Sequence, residues 1–136
     1  MKRFFSLLIL LILCCGTAAF AETAETDLDL TALSGTLLTD KLAEIRANPE
    51  VYAGKTLRVY GQYYAVESGE SVQHSLIVCD ECHCTEVGIT MVGGEDAEIV
   101  WPENNTRIEI NAAIESYENS FGVLSSRLVV LSLLPR

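Results

Sequence analysis

Arg107-Ile108-Glu109-Ile110-Asn111-Ala112-Ala113-Ile114-Glu115 alternates apolar and polar residues with a period of two. Ile108, Ile110, Ala112 and Ile114 fall on one side, and Arg107, Glu109, Asn111, Ala113 and Glu115 on the other. Successive side chains of a strand point to opposite faces, so this is a half-buried β-strand. The same period recurs upstream. Leu57, Val59 and Gly61 alternate with Thr56, Arg58 and Tyr60, and the pattern runs on through Tyr64 and Val66. After the turn Glu67-Ser68-Gly69-Glu70, residues 72–79 read as a second strand, with Leu76 and Val78 on one face. Gly88 to Val92 is a short third strand, Glu98 to Trp101 extends briefly, and Val123 to Leu133 is the last strand. Gly61, in mid-strand, marks a bend or bulge.

Ahead of the strands the period is helical. Leu37, Leu38, Leu42 and Ile45 share a stripe, Thr36 or Thr39 is placed to cap its start, and Asn48-Pro49 stops it. One short helix followed by about five short strands with tight turns predicts a mainly β protein, a small OB-like β-barrel over residues 36–136. A small β-sandwich is the alternative.

The first 21 residues read as a signal peptide. Lys2 and Arg3 precede an apolar run from Phe4 to Leu13, and Ala19-Phe20-Ala21 has the small-residue pattern of a cleavage site. Lipidation at Cys14 or Cys15 is the competing expectation and would bring membrane association. Residues 22–35, polar and acidic, read as a flexible linker. The chain is expected to be exported, to the periplasm or the extracellular space.

The chain carries 9 basic and 19 acidic side chains, a net charge of −10. Binding to a nucleic-acid backbone needs basic side chains that displace counterions, so a nucleic-acid partner is excluded. A protein or a metal ion is the expected partner. Nothing resembles a Ser/His/Asp set, a carboxylate pair placed for catalysis or a phosphate loop, and the only histidines are His74 and His83. The chain is therefore expected not to be an enzyme.

Every cysteine beyond the leader lies in Cys79-Asp80-Glu81-Cys82-His83-Cys84. An odd number of thiols outside the cytoplasm leaves at least one free, metal-bound or paired between molecules. Four chemistries compete. Thiolates and imidazole suit zinc or copper, so Cys79, Cys82 and Cys84 form a soft-metal site, with His74 or a carboxylate such as Glu86 as fourth ligand. If residues 82–84 are extended, Cys82 and Cys84 share a face and His83 points away, joining only if the loop is irregular. The second chemistry is a disulfide, Cys79–Cys82 or Cys79–Cys84, with the third thiol left over. The third is haem c, because Cys79-x-x-Cys82-His83 matches the attachment pattern, with Met91 or His74 as distal ligand. The fourth is thiol redox, which the acidic flanks oppose by raising the thiol pKa. Tyr52, Tyr60, Tyr63, Tyr64 and Trp101 serve either as a ligand face or, more simply, as core.

The opening Asn48-Pro49-Glu50-Val51-Tyr52-Ala53-Gly54-Lys55-Thr56-Leu57-Arg58-Val59-Tyr60-Gly61, followed by Leu76-Ile77-Val78-Cys79 and Val87-Gly88-Ile89, resembles a family of exported OB-like domains. These are the extracytoplasmic C-terminal domain of bacterial permease subunits of the YcgQ type and related small secreted lipoproteins, with a turn like Trp101-Pro102. The resemblance spans about Leu38 to Leu133 and implies an OB-like fold with cysteines after the second barrel strand. Here the cysteines are spread as C-x-x-C-H-C where the family has an adjacent pair. Together these features lead to the expectation of an exported, non-catalytic binding or interaction module with a zinc or copper site at a three-cysteine loop. A disulfide-stapled interaction domain and a c-type haem electron-transfer protein are the alternatives.

Overall fold

A computed structural model describes residues 25–136. The leader, with Cys14 and Cys15, lies outside the described residues. The order of elements is β1 (Leu28–Asp29), α1 (Gly35–Ala47), α2 (Pro49–Tyr52), β2 (Thr56–Ser68), β3 (Ser71–Cys79), β4 (Glu86–Gly93), β5 (Arg107–Glu118) and β6 (Leu124–Pro135). The strands follow the order β1-β2-β3-β4-β6-β5, and β2 pairs with β5 to close the sheet. Strands β2 to β6 thus form a closed five-stranded barrel preceded by helix, as the sequence pattern predicts. All barrel pairings are antiparallel except β4 with β6, where Met91 to Gly93 run parallel to Leu128 to Val130.

Long β2 makes closure geometrically simple. Its first half, Thr56 to Gln62, pairs with β5, and its second half, Gln62 to Ser68, pairs with β3. The change of partner falls beside Gly61. A Cβ on Gly61 would stand 2.6 Å from Leu76 Cδ1 and 3.0 Å from the Ile77 carbonyl oxygen, so only glycine lets Leu76 fill that part of the barrel. The bulge itself lies in β6 against β5 and not at Gly61: Asn111 faces Ser132 and Ala112 faces Val130, so Leu131 is the extra residue. An extra residue there bends the strand as a small barrel requires.

The alternating residues of β5 point as their pattern dictates. Ile108, Ile110, Ala112 and Ile114 are buried with Leu57, Val59, Leu76, Ile89 and Leu128. Each large aliphatic side chain so enclosed contributes about 1.5–3 kcal/mol. Helix α1 packs Leu38, Leu42 and Ile45 onto the barrel, and two polar contacts fix it. The buried Ser126 hydroxyl donates to the Ile45 carbonyl oxygen at 2.8 Å, and Arg46 Nη1 donates to the Gly88 carbonyl oxygen at 3.1 Å.

Two expectations change. The linker of residues 22–35 is structured over much of its described length. Leu28 and Asp29 pair in parallel with Leu57 and Arg58, Leu30 is buried, and the Asp27 carboxylate accepts from the Thr56 N–H at 2.8 Å. The edge of β2 that β3 leaves unpaired supplies the partner for this short strand. Residues 98–101 form no strand; they lie in the connection between β4 and β5 that brings Trp101 to the barrel. In the same connection, the side chain of Asn104 accepts from the Ala65 N–H at 2.7 Å and donates to the Ala65 carbonyl at 3.2 Å.

Candidate functional site

The cysteine loop joins β3 to β4. Cys79 closes β3 opposite Glu86, the first residue of β4. Between them Asp80 organises the turn. Its carboxylate accepts from the Cys84 N–H at 2.8 Å, its own N–H donates to the Thr85 carbonyl at 3.1 Å, and its carbonyl accepts from the His83 N–H at 3.1 Å. Burial opposes the charge on Asp80, but hydrogen bonds from Thr85 and Cys84 outweigh it and hold the carboxyl below the usual range. The backbone turns through His83 with φ of 55°, in the left-handed region.

Glu81 fastens this loop to the helix. The Thr36 hydroxyl and N–H both donate to Glu81 Oε2, at 3.0 and 3.2 Å. The N-cap residue of α1, Ser34, makes no side-chain cap bond, and the first turn of α1 has no acidic residue of its own. A carboxylate 45 residues away therefore meets the free amides and positive end of α1. Its own N–H, the Thr36 hydroxyl and the Thr36 N–H hold the Glu81 carboxyl below the ordinary range. Gly35 has φ of 55°, and a Cβ there would fall on the Glu81 carboxylate. Neither Thr36 nor Thr39 acts as the cap; Thr39 is buried and its hydroxyl bonds back to the Thr36 carbonyl at 2.9 Å.

The sulfurs divide two and one. Cys82 and Cys84 are paired as a disulfide, with Cα atoms 5.2 Å apart, and Cys79 is free among the described residues. This corrects the expected pairings Cys79–Cys82 and Cys79–Cys84. Cys79 is held in the strand ladder with its sulfur 3.8 Å from Glu86 Oε1, while the turn at His83 brings its two neighbours together. Burial, then the charge and hydrogen bond of Glu86, then Asp80 push the Cys79 thiol above its ordinary pKa. It is therefore protonated at neutral pH and a weak nucleophile.

The remaining expected site residues do not converge on the loop. His74 lies near the middle of β3, five residues from Cys79. At about 3.3 Å per residue that is roughly 16 Å, and the odd offset puts the two side chains on opposite faces. His74 stacks on Trp101, with ring centroids 3.9 Å apart and planes 8° from parallel, and its Nδ1 is 2.6 Å from the Tyr63 hydroxyl. Burial lowers the His74 pKa and raises that of Tyr63, so both shifts favour the neutral forms of the hydrogen-bonded pair. Met91 is buried inside the barrel opposite His74. A haem on Cys79 and Cys82 would find Cys82 already bonded and Met91 enclosed in the core. Nor do the donors as placed fit a metal. Among the described residues no three His, Cys, Asp or Glu side chains are grouped to hold an ion.

The expected aromatics separate likewise. Tyr52 and Tyr63 are buried, Trp101 is half-buried against the core, and Tyr64 is exposed. Tyr60 lies on the outer surface and lines a groove of about 520 Å³ with Thr31, Ser34, Gln62, Cys79, His83 and Arg107. Sequence reasoning passed over Arg107, because an exposed arginine at the start of a strand carries no local signal. No protein-family model matches the chain, and a comparison with curated proteins gives no match.

Proposed function

We propose that this protein is an exported, non-catalytic binding or interaction module whose cysteine loop is stapled by the Cys82–Cys84 disulfide. One observation carries the reading: the paired sulfurs sit in a loop that Glu81 docks onto α1, while Cys79 stands apart with a raised pKa. A disulfide suits a compartment outside the cytoplasm, which the leader also implies. A rigid loop beside a groove is what an interaction surface needs.

The second reading is a zinc or copper site in the reduced loop. What favours it is that Glu86 lies beside the Cys79 sulfur, so reduction would present three thiols and a carboxylate in one hairpin. The two readings separate by titrating thiols with and without reductant or chelator, alongside metal analysis. One reactive thiol before reduction, two more after it, and no stoichiometric metal is the expected result for the chain without its leader. Near one equivalent of metal, with thiols released by chelator alone, would overturn the disulfide. A covalent Soret band would overturn both.

A further inference from the structure

We propose that the outer face of β2 and β5 carries a carboxylate-binding groove, with Arg107 as its anchor, for a ligand that joins a carboxylate to an apolar body. The proposal rests on the protein being a binding module and not on what occupies the cysteine loop.

The groove of about 520 Å³ runs between the 31–35 segment and the outer side of β2 and β3. That volume is within the range of sites for small molecules. Leu33, Leu38 and Ile77 supply apolar wall, and Gln62, His83 and Arg107 supply polar groups. A second hollow of about 240 Å³, lined by Tyr60, Arg107, Ile108 and Arg136, shares Tyr60 and Arg107 with the first. Arg107 therefore borders both spaces, opposite Gln62 in the β2–β5 register.

Charge distinguishes Arg107 from its neighbours. Glu109, 3% exposed on this outer face, accepts from Arg58 Nε at 2.6 Å and is also paired with Arg136. A single carboxylate thus sits between two guanidinium groups, with Asp29 only at 3.9 Å from Arg58. Among the described residues, Arg107 has no carboxylate within 4.0 Å. Glu81, near the rim, already accepts from Thr36. In a chain of net charge −10, the face holds three of the nine basic side chains and leaves one guanidinium fork unpaired. The planar fork of arginine matches a carboxylate through two parallel hydrogen bonds, and the Gln62 amide lies next to it in the sheet. The apolar wall and the Tyr60 ring then receive the body of the ligand.

Two sources supply such chemistry, a free organic acid and the C-terminus of an apolar peptide. The test is an amide NMR titration of the purified protein with octanoate, octanol and octylamine, and with an apolar tetrapeptide as free acid and as amide. Octanoate or the free-acid peptide is expected to shift the amides of Tyr60 to Gln62 and Arg107 to Ile108 saturably, and the tighter of the two names the source. Octanol, octylamine and the amidated peptide are expected to bind at least ten-fold more weakly. Arg107→Gln is expected to weaken the carboxylate at least ten-fold, Arg107→Lys less so, and Arg46→Gln on α1 not at all. Equal shifts from octanol and octanoate would overturn the proposal. So would shifts clustered elsewhere, no saturation by either carboxylate, or unchanged binding by a folded Arg107→Gln. A thiol pattern that stays as expected while carboxylates fail would leave the disulfide-stapled module standing.

Discussion

The two ends of the β3 stretch from His74 to Cys79 hold chemically reactive side chains by opposite means. At one end His74 is half-buried, stacked with Tyr63 and Trp101 and bonded to the Tyr63 hydroxyl. At the other, Cys79 opens a surface loop shaped by Asp80 and pinned to α1 by Glu81. The first cluster is held by burial and ring packing, the second by charge-assisted hydrogen bonds to backbone. A histidine and a cysteine on one short strand look like partners in a site. Strand length and alternation make them strangers.

The contrast can be broken by substitution, and the largest effect belongs to the aromatic end. Tyr63→Ala removes a buried ring and is expected to cost about 3–5 kcal/mol in chemical denaturation, with loss of near-ultraviolet dichroism from Trp101. Cys82→Ser with Cys84→Ser opens only a very short loop and is expected to cost no more than about 2 kcal/mol. A larger loss at the cysteines than at Tyr63 would reverse the assignment of where the stability lies. Gly35→Ala, forced to a positive φ against the Glu81 carboxylate, is expected to cost about 1–2 kcal/mol from its backbone alone and to loosen the loop. Glu81→Gln is expected to lower the melting temperature by less than the double cysteine change. Amide exchange should then quicken at Thr36 while His74 is unaffected.

Proton uptake separates the ends more finely. His74 has a lowered folded pKa, so its contribution is fully present above the unfolded value of about 6.5 and is lost as pH falls through the folded value. Glu81 also has a lowered pKa, but its contribution is present above 4.5 and is lost only as pH falls further. Melting temperature followed from pH 7.5 to 5 should therefore decline in the wild type and less in His74→Phe. Thr36 amide protection should persist across that range and fail in stronger acid. Loss of Thr36 protection near pH 6 would tie the two ends together, against the structure.

Much of the barrel was legible because its signal is local. The Ile108–Ile114 alternation needs no partner to be read, and the helical stripe of Leu38, Leu42 and Ile45 is equally self-contained. What escaped depends on distant residues. Leu28 and Asp29 become a strand only because β2 offers an unpaired edge. Glu81 becomes a helix cap only because the fold brings it to Thr36, and no propensity scale registers that. The cysteines were conspicuous by composition, but residues 82–84 are not the extended segment on which alternation would have put Cys82 and Cys84 on one face. Their pairing to each other turned on the left-handed backbone at His83, a conformation that histidine does not announce.

The central claim is that the loop carries a Cys82–Cys84 disulfide beside a free Cys79. Alkylation of the unreduced, denatured protein, followed by fragmentation of the tryptic peptide spanning Val59 to Arg107, tests it directly. A single label on Cys79, with Cys82 and Cys84 labelled only after reduction, is the predicted result. A label on Cys82 or Cys84 before reduction, or on all three at once, would contradict it.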